Sequence, residues 1–415
     1  MVTCRGPARA RRRDEARTVE VLPGGAVLIE GGTITAVGPY AELSAAHPKA
    51  TREEVRGVLY PGFIDAHTHG VFGAPRLDDH QRRALGATYQ AIAAAGGGIL
   101  QSVRDVRGRT EDDLYRLARA RLDALRAHGA TTVEIKSGYG LELDAEMKQL
   151  RVIGRLKRDG SPDVVATFLG AHEVPPEHRA HPDTYVATLC EDMIPAVVRE
   201  HLAARCDVFC EPGVFTVAAS RRILEAARSA GLALTMHADE LEGAGGAELA
   251  ATLGAQSADH LAAISPAGIQ ALARSETVAV LLPATMTFLG KKSQAPARAL
   301  WEAGAAVALA TDFNPGSSPT VSLPYVMALG VSQLGMRHEE ALTAVTVNAA
   351  AALGVAGDRG QIVPGMRADL VALDVSDWRE AAYWIGANLV TAVWTGGSAC
   401  RSIGGPISLG GYVET

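Results

Sequence analysis

YPGFIDAHTH, residues 60–69, is an apolar run that ends in two histidines separated by one residue. Alternate residues of a β-strand share a face, so His67 and His69 are predicted to point together. Two imidazoles that converge at the end of a buried strand supply half of a divalent-metal site, and the remaining ligands must come from distant segments. The alternative is a pair of surface histidines, and the rest of the chain has to decide between the two.

The composition is that of a globular protein. With 415 residues, 47% of them hydrophobic and 21% charged, the chain has room for a barrel of about 250 to 300 residues and a smaller unit. A net charge of -6 gives no reason to expect a nucleic-acid partner. No apolar run reaches the length of about 18 residues that a membrane span needs, so no membrane contact is expected. The five cysteines lack the C-x-x-C spacing of a structural zinc site, which predicts free thiols in a cytoplasmic protein.

The start of the chain is basic. Because no apolar run follows, we expect a solvated or frayed terminus, not a secretion signal or a contact with RNA or lipid. The arginines concerned are Arg5, Arg9, Arg11, Arg12, Arg13 and Arg17.

Both chain ends carry short β-like patterns. Residues 26–29 and 33–37 flank a Gly-Gly turn and predict a hairpin, and residues 368–373 and 389–394 predict further strands. Neither end could bury a core alone. We therefore predict one small β-sandwich domain from residues 1–56 and 357–415, interrupted by a central domain of residues 57–356.

In the central region, short β-branched runs alternate with segments of helical period, a pattern typical of parallel βα units. Eight strands are predicted at residues 63–69, 131–136, 164–172, 207–211, 232–237, 257–260, 277–283 and 307–312. A ninth candidate, residues 97–103, lacks a preceding helix and is interpreted as an excursion after the first strand. The predicted fold class is therefore α/β, a (β/α)₈ TIM barrel with the small β-sandwich domain attached.

Polar residues gather at the carboxyl ends of these predicted strands, where barrel active sites form. They are His67, His69, Lys136, His172, Glu211, His237, His260 and Asp312. Any one of them could be a core residue bonded to the backbone. The same pattern at so many strands indicates a functional face.

The metal ligands are predicted to be His67, His69, His237 and Asp312. Three neutral nitrogens and one carboxylate suit one divalent metal, Zn²⁺ or iron (Fe²⁺/Fe³⁺), with a coordination position left open for catalysis. Barrels of this kind can instead hold two metals bridged by a carboxylated lysine, with Lys136, His172 and His260 recruited.

The bridging lysine belongs at the end of the fourth strand, where this chain has Cys210 and Glu211, whereas Lys136 ends the second. We therefore favour one metal, with Lys136 structural or in a charge pair.

Three other features have simple expected roles. Asp65 shares the inner face with the histidine pair and is expected to orient it. Asp259 points away from His260 and is expected to bond to the barrel wall. The glycine-rich stretch 243–246 could bind phosphate through helix amides, but no G-x-x-x-x-G-K-[ST] pattern accompanies it.

Seven segments carry a family resemblance: FIDAHTHGVFG (63–73), AGGGI (95–99), VEIKSGYG (133–140), FLGAH (168–172), MHADE (236–240), SADH (257–260) and ATDFNPGSS (310–318). Together they closely resemble the imidazolonepropionase family of the amidohydrolase superfamily. HTH and the final Asp312 mark the superfamily broadly, while KSGYG and TDFNPGSS are particular to this family. Relatives also carry an opening strand before Met1, so we expect a missing edge in the small domain or an upstream start.

The resemblance implies hydrolysis of 4-imidazolone-5-propanoate to N-formimidoyl-L-glutamate in histidine degradation, by cleavage of the cyclic amide. It implies the same four metal ligands, with Arg76 as a clamp for the propanoate carboxylate. Glu240 and His260 would handle protons and polarise the carbonyl, with Asp312 sharing the proton steps. The implied substrate contacts are Arg76, Tyr139, His172, Glu240, Asn314, Gly316 and Ser317.

Two rival functions remain at this stage. An aminohydrolase that deaminates a nucleobase or pterin would use the same ligand set, but it needs no carboxylate clamp at Arg76. A non-catalytic scaffold would have no reason to keep a complete ligand set. The expected partner is the small-molecule substrate, and whether the chain forms a homodimer stays open.

Overall fold

A computed structural model of the chain describes residues 1–88, 91–92 and 95–401. In chain order the strands are β1 Gly25–Glu30, β2 Thr33–Pro39, β3 Val58–Pro61, β4 Phe63–Asp65, β5 Ala130–Lys136, β6 Asp163–Ala171, β7 Arg205–Cys210, β8 Ala233–Ala238, β9 Ser257–His260, β10 Val278–Leu281, β11 Val307–Leu309, β12 Leu370–Leu373, β13 Val390–Thr395 and β14 Ser398–Arg401.

The α-helices in the same ranges are Tyr40–Ala46, Leu77–Ala84, Ile99–Gly108, Glu111–Ala127, Leu143–Asp159, Pro182–Thr188, Ile194–Arg199, Val217–Ser229, Gly246–Leu253, Pro266–Ala273, Pro283–Phe288, Ala297–Ala303, Leu323–Ser332, His338–Ala344 and Val347–Ala352. A π-helical turn, Leu189–Met193, joins two of them, and short 3₁₀ helices occur at Arg13–Arg17, Pro176–His178 and Trp378–Ala382.

Strands β4 to β11 form one parallel sheet in chain order. The sheet curls until its two edges meet: Thr68 bridges to Phe313 in parallel register, and the His69 amide donates to the Phe313 carbonyl at 2.8 Å. This meeting point lies between the histidine pair and Asp312. The predicted eight-stranded barrel is confirmed, and its closure brings the first and last strands together at the face where the polar residues gather.

The ninth candidate strand is a helix in the structure. Residues 99–103 begin the helix Ile99–Gly108, whose buried positions include Val103 and Val106. Their spacing of three residues is helical, so the excursion after the first strand leads into this helix and adds nothing to the sheet.

Side-chain caps fix several of the outer helices. Thr110 accepts from the Asp113 amide at 3.1 Å at the start of Glu111–Ala127, and Thr216 accepts from the Ala219 amide at 3.2 Å at the start of Val217–Ser229. Each bond pairs an amide that has no partner within its helix. The caps set where the chain turns from a strand end into the helix that follows.

The chain ends build a separate antiparallel unit, as predicted. The hairpin β1–β2 stands beside a four-stranded sheet in the order β14-β13-β12-β3, and an apolar cluster that includes Ile34 and Trp394 fills the space between them. The domain boundaries at residues 56/57 and 356/357 stay a prediction. The first boundary assigns β3 to the barrel domain, although β3 pairs with β12 of the small sheet. Residues 402–415 of the predicted domain lie outside the described part of the chain.

The expectation of a solvated N-terminus is wrong for Arg11. Its side chain is fully buried, and its guanidinium donates to the Cys4 carbonyl at 2.7 Å and the Pro7 carbonyl at 3.2 Å. The Arg11 amide also donates to the Asn348 side chain at 2.7 Å. Backbone carbonyls therefore replace the water that a terminal arginine normally binds, whereas Arg5, Arg9 and Arg13 are exposed, as expected.

Two expectations from composition can be compared with the structure. None of the helices in the described ranges combines the length and the apolar character that a membrane span needs. Cys4, Cys190, Cys206 and Cys210 are free thiols, and the side chain of Cys400 lies outside the described residues.

Candidate active site

The carboxyl end of the barrel brings the four predicted metal ligands together. The Nε2 atoms of His69 and His237 lie 3.4 Å apart. Asp312 Oδ1 lies 3.6 Å from His67 Nε2 and 3.5 Å from His69 Nε2. All four side chains are buried, and His67, His69 and Asp312 are close enough to one another to share one ion. Residues from the first, fifth and eighth barrel strands thus converge on one point.

Buried carboxylates fix the orientation of two of the imidazoles. Asp259 accepts from His67 Nδ1 at 2.6 Å, and Asp207 accepts from His237 Nδ1 at 3.0 Å. A ring that donates from Nδ1 presents the lone pair of Nε2 to the centre, which is the arrangement found around protein-bound metals. Asp312 is held similarly, since Thr285 donates to its Oδ2 at 2.6 Å and leaves Oδ1 for the ligand site.

The expected role of Asp259 is wrong, whereas Asp65 does support the histidine pair, through the His67 backbone. The Asp65 carboxylate also accepts from the Thr311 amide at 3.0 Å and the Thr311 hydroxyl at 2.6 Å, so it ties the first strand to the last. Asp259 faces the interior and orients His67. Strand alternation failed here because His260 has a φ of +74°, which breaks the pleat and lets both neighbours face inward.

Lys136 lies beneath the predicted metal ligands in a buried cluster of charges. This position agrees with the prediction that it is structural or in a charge pair. Its ammonium is 2.7 Å from Asp207, 2.8 Å from Glu134 and 3.5 Å from Asp259. Burial opposes a charged lysine, but these carboxylates raise its pKa above the ordinary value. A lysine held as an ammonium by three carboxylates does not present a free amine for carboxylation, so the cluster argues against a lysine-bridged pair of metals.

The unpaired atoms of the centre fit a cation. His67 Nε2 is buried without a hydrogen-bond partner among the described residues, and the Nε2 atoms of His69 and His237 face each other at 3.4 Å. Burial lowers the pKa of His67 and of His69 well below the usual value, which keeps both rings neutral. Burial also opposes a charged His237, yet Asp207 raises the pKa of that ring. Neutral imidazoles with one carboxylate are a suitable donor set for zinc or iron.

Glu240 and His260 lie together beside the ligands. Glu240 Oε2 is 3.6 Å from His260 Nδ1, and the glutamate side chain is 13% exposed, so it borders the open side of the centre. Burial, with a contribution from Asp312, raises the pKa of Glu240 to about 8, whereas burial lowers the pKa of His260 well below its usual value. A carboxyl group that exchanges its proton near neutral pH is suited to acid–base work.

Arg76 presents a buried guanidinium with unused donors. The residue is 7% exposed, and its Nε and Nη1 have no hydrogen-bond partner in the described part of the chain. The group lies so close over Gly316 that any Cβ at that position would overlap it. A buried cation with free donors in a fork geometry is prepared for a carboxylate. It is also near enough to His172 to lower the pKa of that ring electrostatically.

Tyr139, in the loop after β5, and His172, directly after β6, lie side by side with ring centroids 5.4 Å apart. His172 Nδ1 donates to the Gly138 carbonyl at 3.0 Å, so Nε2 is an acceptor, and burial lowers the pKa of the ring to about 3. Gly138 has a φ of +107°, and a Cβ there would press on His172. His172 therefore acts as a neutral acceptor at physiological pH.

Asn314 organises the loop that follows β11. Its Oδ1 accepts from the amides of Gly316 and Ser317, each at 2.8 Å, and its Nδ2 donates to the Asp312 carbonyl at 2.7 Å. Ser317 completes the turn through a hydroxyl contact with Nδ2 at 2.9 Å. The side chain of Asn314 thus holds the loop that carries Gly316 below Arg76.

The glycine-rich stretch 243–246 has no room for phosphate. Asp239 accepts from the amides of Ala244, Gly245, Gly246 and Ala247 at distances of 2.9 to 3.2 Å. A carboxylate of the chain itself occupies the anion position at the start of helix Gly246–Leu253. The phosphate alternative is therefore excluded.

Sequence reasoning gave no individual role to three buried carboxylates, Asp207, Glu134 and Glu211, although it named Glu211 among the polar residues at strand ends. A further signal existed, since Asp207 and Glu134 interrupt apolar strands and Glu134 shares the inward face with Lys136 two residues later. Their partners are distant in the chain, however. Only the folded structure pairs Asp207 with His237 and Glu134 with Lys136.

Two family models match the chain. The amidohydrolase family matches residues 58–400, and the imidazolonepropionase-like composite domain of bacteria matches residues 25–50. The first match spans the barrel and the later strands of the small sheet, and the second contains the hairpin β1–β2.

Curated relatives match over nearly the whole length. The imidazolonepropionase of Porphyromonas gingivalis is 45% identical over 400 residues, which cover 96% of this chain and 94% of that protein. The imidazolonepropionase of Geobacillus kaustophilus is 47% identical over 390 residues, with coverage of 93% and 92%.

Solved structures share the fold at low identity. A 5-methylcytosine deaminase from Klebsiella pneumoniae has a TM-score of 0.71 at 16% identity and covers 93% of this chain and 95% of its own. An adenosine deaminase from Xanthomonas campestris has a TM-score of 0.67 at 20% identity, with coverage of 92% and 89%. At such identities these structures establish the fold alone.

Replacing Asp259 with asparagine should weaken metal binding. The hydrogen bond to His67 loses its charge, and partners of metal-binding histidines are worth roughly 10- to 100-fold in metal affinity. Chelator competition on the purified variants measures the dissociation constant directly. Asp239→Asn is the matched control, because Asp239 is equally buried but bonds the backbone of residues 244–247. Equal metal affinity in Asp259→Asn and the wild type would contradict the assigned orientation of His67.

Proposed function

The chain belongs to the imidazolonepropionase family of the amidohydrolases and is a hydrolase of histidine degradation, and we propose that it opens the ring of 4-imidazolone-5-propanoate at a single-metal centre. The product would be N-formimidoyl-L-glutamate. The observation that carries the proposal is the buried guanidinium of Arg76, which has unused donors and acts electrostatically on His172. His172 groups with His69 and His237 as possible metal ligands, and His69 groups with His67 and Asp312. The set suits the metal, and the guanidinium suits the propanoate group.

The residues proposed to hold the metal are His67, His69, His237 and Asp312, and the ion is zinc or iron. A divalent cation at this position supplies a Lewis acid that lowers the pKa of water toward neutrality. A single ion is supported by the ammonium state of Lys136 and by the absence of lysine from the end of β7, which closes with Cys210.

Substrate binding is proposed to begin at the carboxylate. Arg76 would clamp the propanoate group through its free Nε and Nη donors, with the backbone of Gly316 and Ser317 beneath it. Tyr139 and His172 would border the imidazolone ring. Because His172 offers an acceptor at Nε2, it suits a ring N–H of the substrate. Asn314 would contribute through the shape of its loop.

Two side chains are proposed to handle protons and charge. Water attacks the ring carbonyl carbon, and Glu240 takes the proton that this water loses, with Asp312 also within the reach of the centre. His260 would donate to the carbonyl oxygen as it gains negative charge. When the carbon–nitrogen bond of the ring breaks, Glu240 returns the proton to the departing nitrogen, which otherwise leaves as an unstable anion.

A deaminase is the nearest alternative, because the structural neighbours named above include deaminases that share the fold. Arg76 favours the propanoate substrate. A neutral nucleobase has no group to neutralise the buried guanidinium, and an unpaired charge at such a depth costs several kcal/mol.

The location and assembly of the protein are also proposals. A cytoplasmic enzyme is supported by the four free cysteines of the described chain. The sequence leaves open whether the chain forms a homodimer.

Replacing Arg76 with methionine should raise KM for the propanoate substrate and leave metal content unchanged. The clamp touches a group that does not react, so its loss removes mainly uniform binding. A charge-assisted pair is worth about 1.5 to 3 kcal/mol, so kcat/KM should fall about 10- to 100-fold. The measurement follows the ultraviolet absorbance of freshly made substrate, with Arg76→Lys as a variant that keeps the charge without the fork.

An unchanged KM in Arg76→Met would place the carboxylate elsewhere. Wild-type protein that carries its metal and leaves the substrate intact would refute the proposed reaction itself.

Replacing Glu240 with glutamine should lower kcat by about 10²- to 10⁴-fold, because glutamine keeps the outline but cannot accept and return a proton. Metal content and thermal stability should match the wild type. Glu242→Gln is the matched control, since Glu242 lies on the same turn but is exposed. A loss of less than about tenfold in Glu240→Gln would move both proton steps to His260 or Asp312.

A further inference from the structure

We propose that Glu211 is a positioning residue that fixes Glu240 against the metal centre by clamping the turn of residues 240–242. This inference rests on the proposed proton transfer by Glu240. Glu211 follows β7 directly, while Glu240 follows the neighbouring strand β8. The two glutamates therefore follow adjacent strands, and Glu211 would act through the backbone of Glu240.

The contact between them is specific. Glu211 Oε2 accepts from the Glu240 amide at 3.0 Å, and Oε1 accepts from the amides of Glu242 at 2.7 Å and Leu241 at 3.3 Å. Glu211 is 2% exposed. Three successive amides thus share one buried carboxylate, and charge-assisted bonds of this kind are stronger than neutral ones.

The turn needs such a partner because the chain changes direction at the end of β8. Asp239 has a φ of +50°, which ends the extended strand, and residues 240–242 belong to no helix or strand. Within the described part of the chain, their amides have no partner in a sheet or helix. Asp239 pairs the next group of amides, from Ala244 to Ala247. Without Glu211, the amides of residues 240–242 would lose their acceptor. This loss would loosen the backbone at Glu240, the residue that faces the metal centre.

Glu211 is itself rigid. Its amide donates to the Phe215 carbonyl at 3.1 Å, and its carbonyl accepts from the Val214 amide at 3.0 Å. This closed turn fixes the backbone from which the carboxylate extends. The position of Glu240 is therefore set by β7 as well as by its own strand, and an error of about 1 Å in the position of a reacting group can cost 10²-fold in rate.

The chain offers a matched control in Glu146. This fully buried glutamate also accepts from three amides, those of Gly138, Gly140 and Leu141, at 3.1, 2.7 and 2.8 Å. Its loop carries Tyr139, which borders the proposed substrate. The two glutamates thus make the same kind of contact in two different loops, so the comparison separates a general loss of loop order from an effect on Glu240.

The test is a double-mutant cycle between Glu211→Gln and Glu240→Gln, measured as kcat and KM on imidazolone propanoate with metal content determined on each sample. Glutamine places an amide N–H against the backbone N–H groups and removes the charge. Glu211→Gln alone should lower kcat about 10- to 100-fold with KM and metal content near the wild-type values. In the Glu240→Gln background the same change should cost less than about threefold, because the group that it positions is already inactive.

Glu146→Gln should instead raise KM, and its effect should persist in the Glu240→Gln background. A fully additive loss for Glu211→Gln and Glu240→Gln would overturn the inference and leave Glu211 as a structural residue. A loss of kcat of less than about tenfold in Glu240→Gln alone would refute Glu240 as the proton carrier. Because that variant is measured on its own, this failure is distinguished from a failure of the inference about Glu211. If Glu211→Gln does not fold, the cycle is run with Glu211→Asp, which keeps the charge but shortens the side chain by one methylene group. The inference then requires that Glu211→Asp costs less in the Glu240→Gln background than in the wild type.

Discussion

A single buried ammonium supports the centre of this barrel. Lys136 lies among the carboxylates of Glu134, Asp207 and Asp259, and two of these carboxylates also hold the rings of His67 and His237. Buried charges are tolerated only when each has a partner, and removing one partner from such a group is strongly destabilising. The pairing that makes the barrel interior stable is therefore the same pairing that aims the imidazoles. The orientation of these imidazoles and the stability of the barrel therefore depend on one network.

Above this network, the irregular loops are ordered by carboxylates that accept backbone amides. Glu146 holds the loop of Tyr139, Glu211 holds the turn of Glu240, and Asp239 holds the stretch that follows it. Loops at the open end of a barrel lack the regular pairing of strands, so their amides need other acceptors. Buried acidic side chains supply these acceptors and hold the loops that carry Tyr139 and Glu240.

Much of this organisation could be predicted from the sequence. The eight strands, and the gathering of His67, His69, His237 and Asp312 at one end of the barrel, were predictable because polar residues stand at the ends of apolar runs. The partners of those ligands were not predictable, since Asp259 meets His67 across 192 residues of sequence. Alternation also failed at His260, where a positive φ breaks the pleat. The burial of Arg11 depends on carbonyls that only the folded chain brings around it.

The central claim is that one metal ion occupies a site formed by His67, His69, His237 and Asp312. Crystals of protein purified without chelator, measured at the zinc and iron absorption edges, test it most directly. The account predicts one anomalous peak per chain, within bonding distance of the three Nε2 atoms and of Asp312 Oδ1, with Lys136 still bonded to its carboxylates. A second peak beside a carboxylated Lys136, or a single peak away from these four ligands, would contradict it.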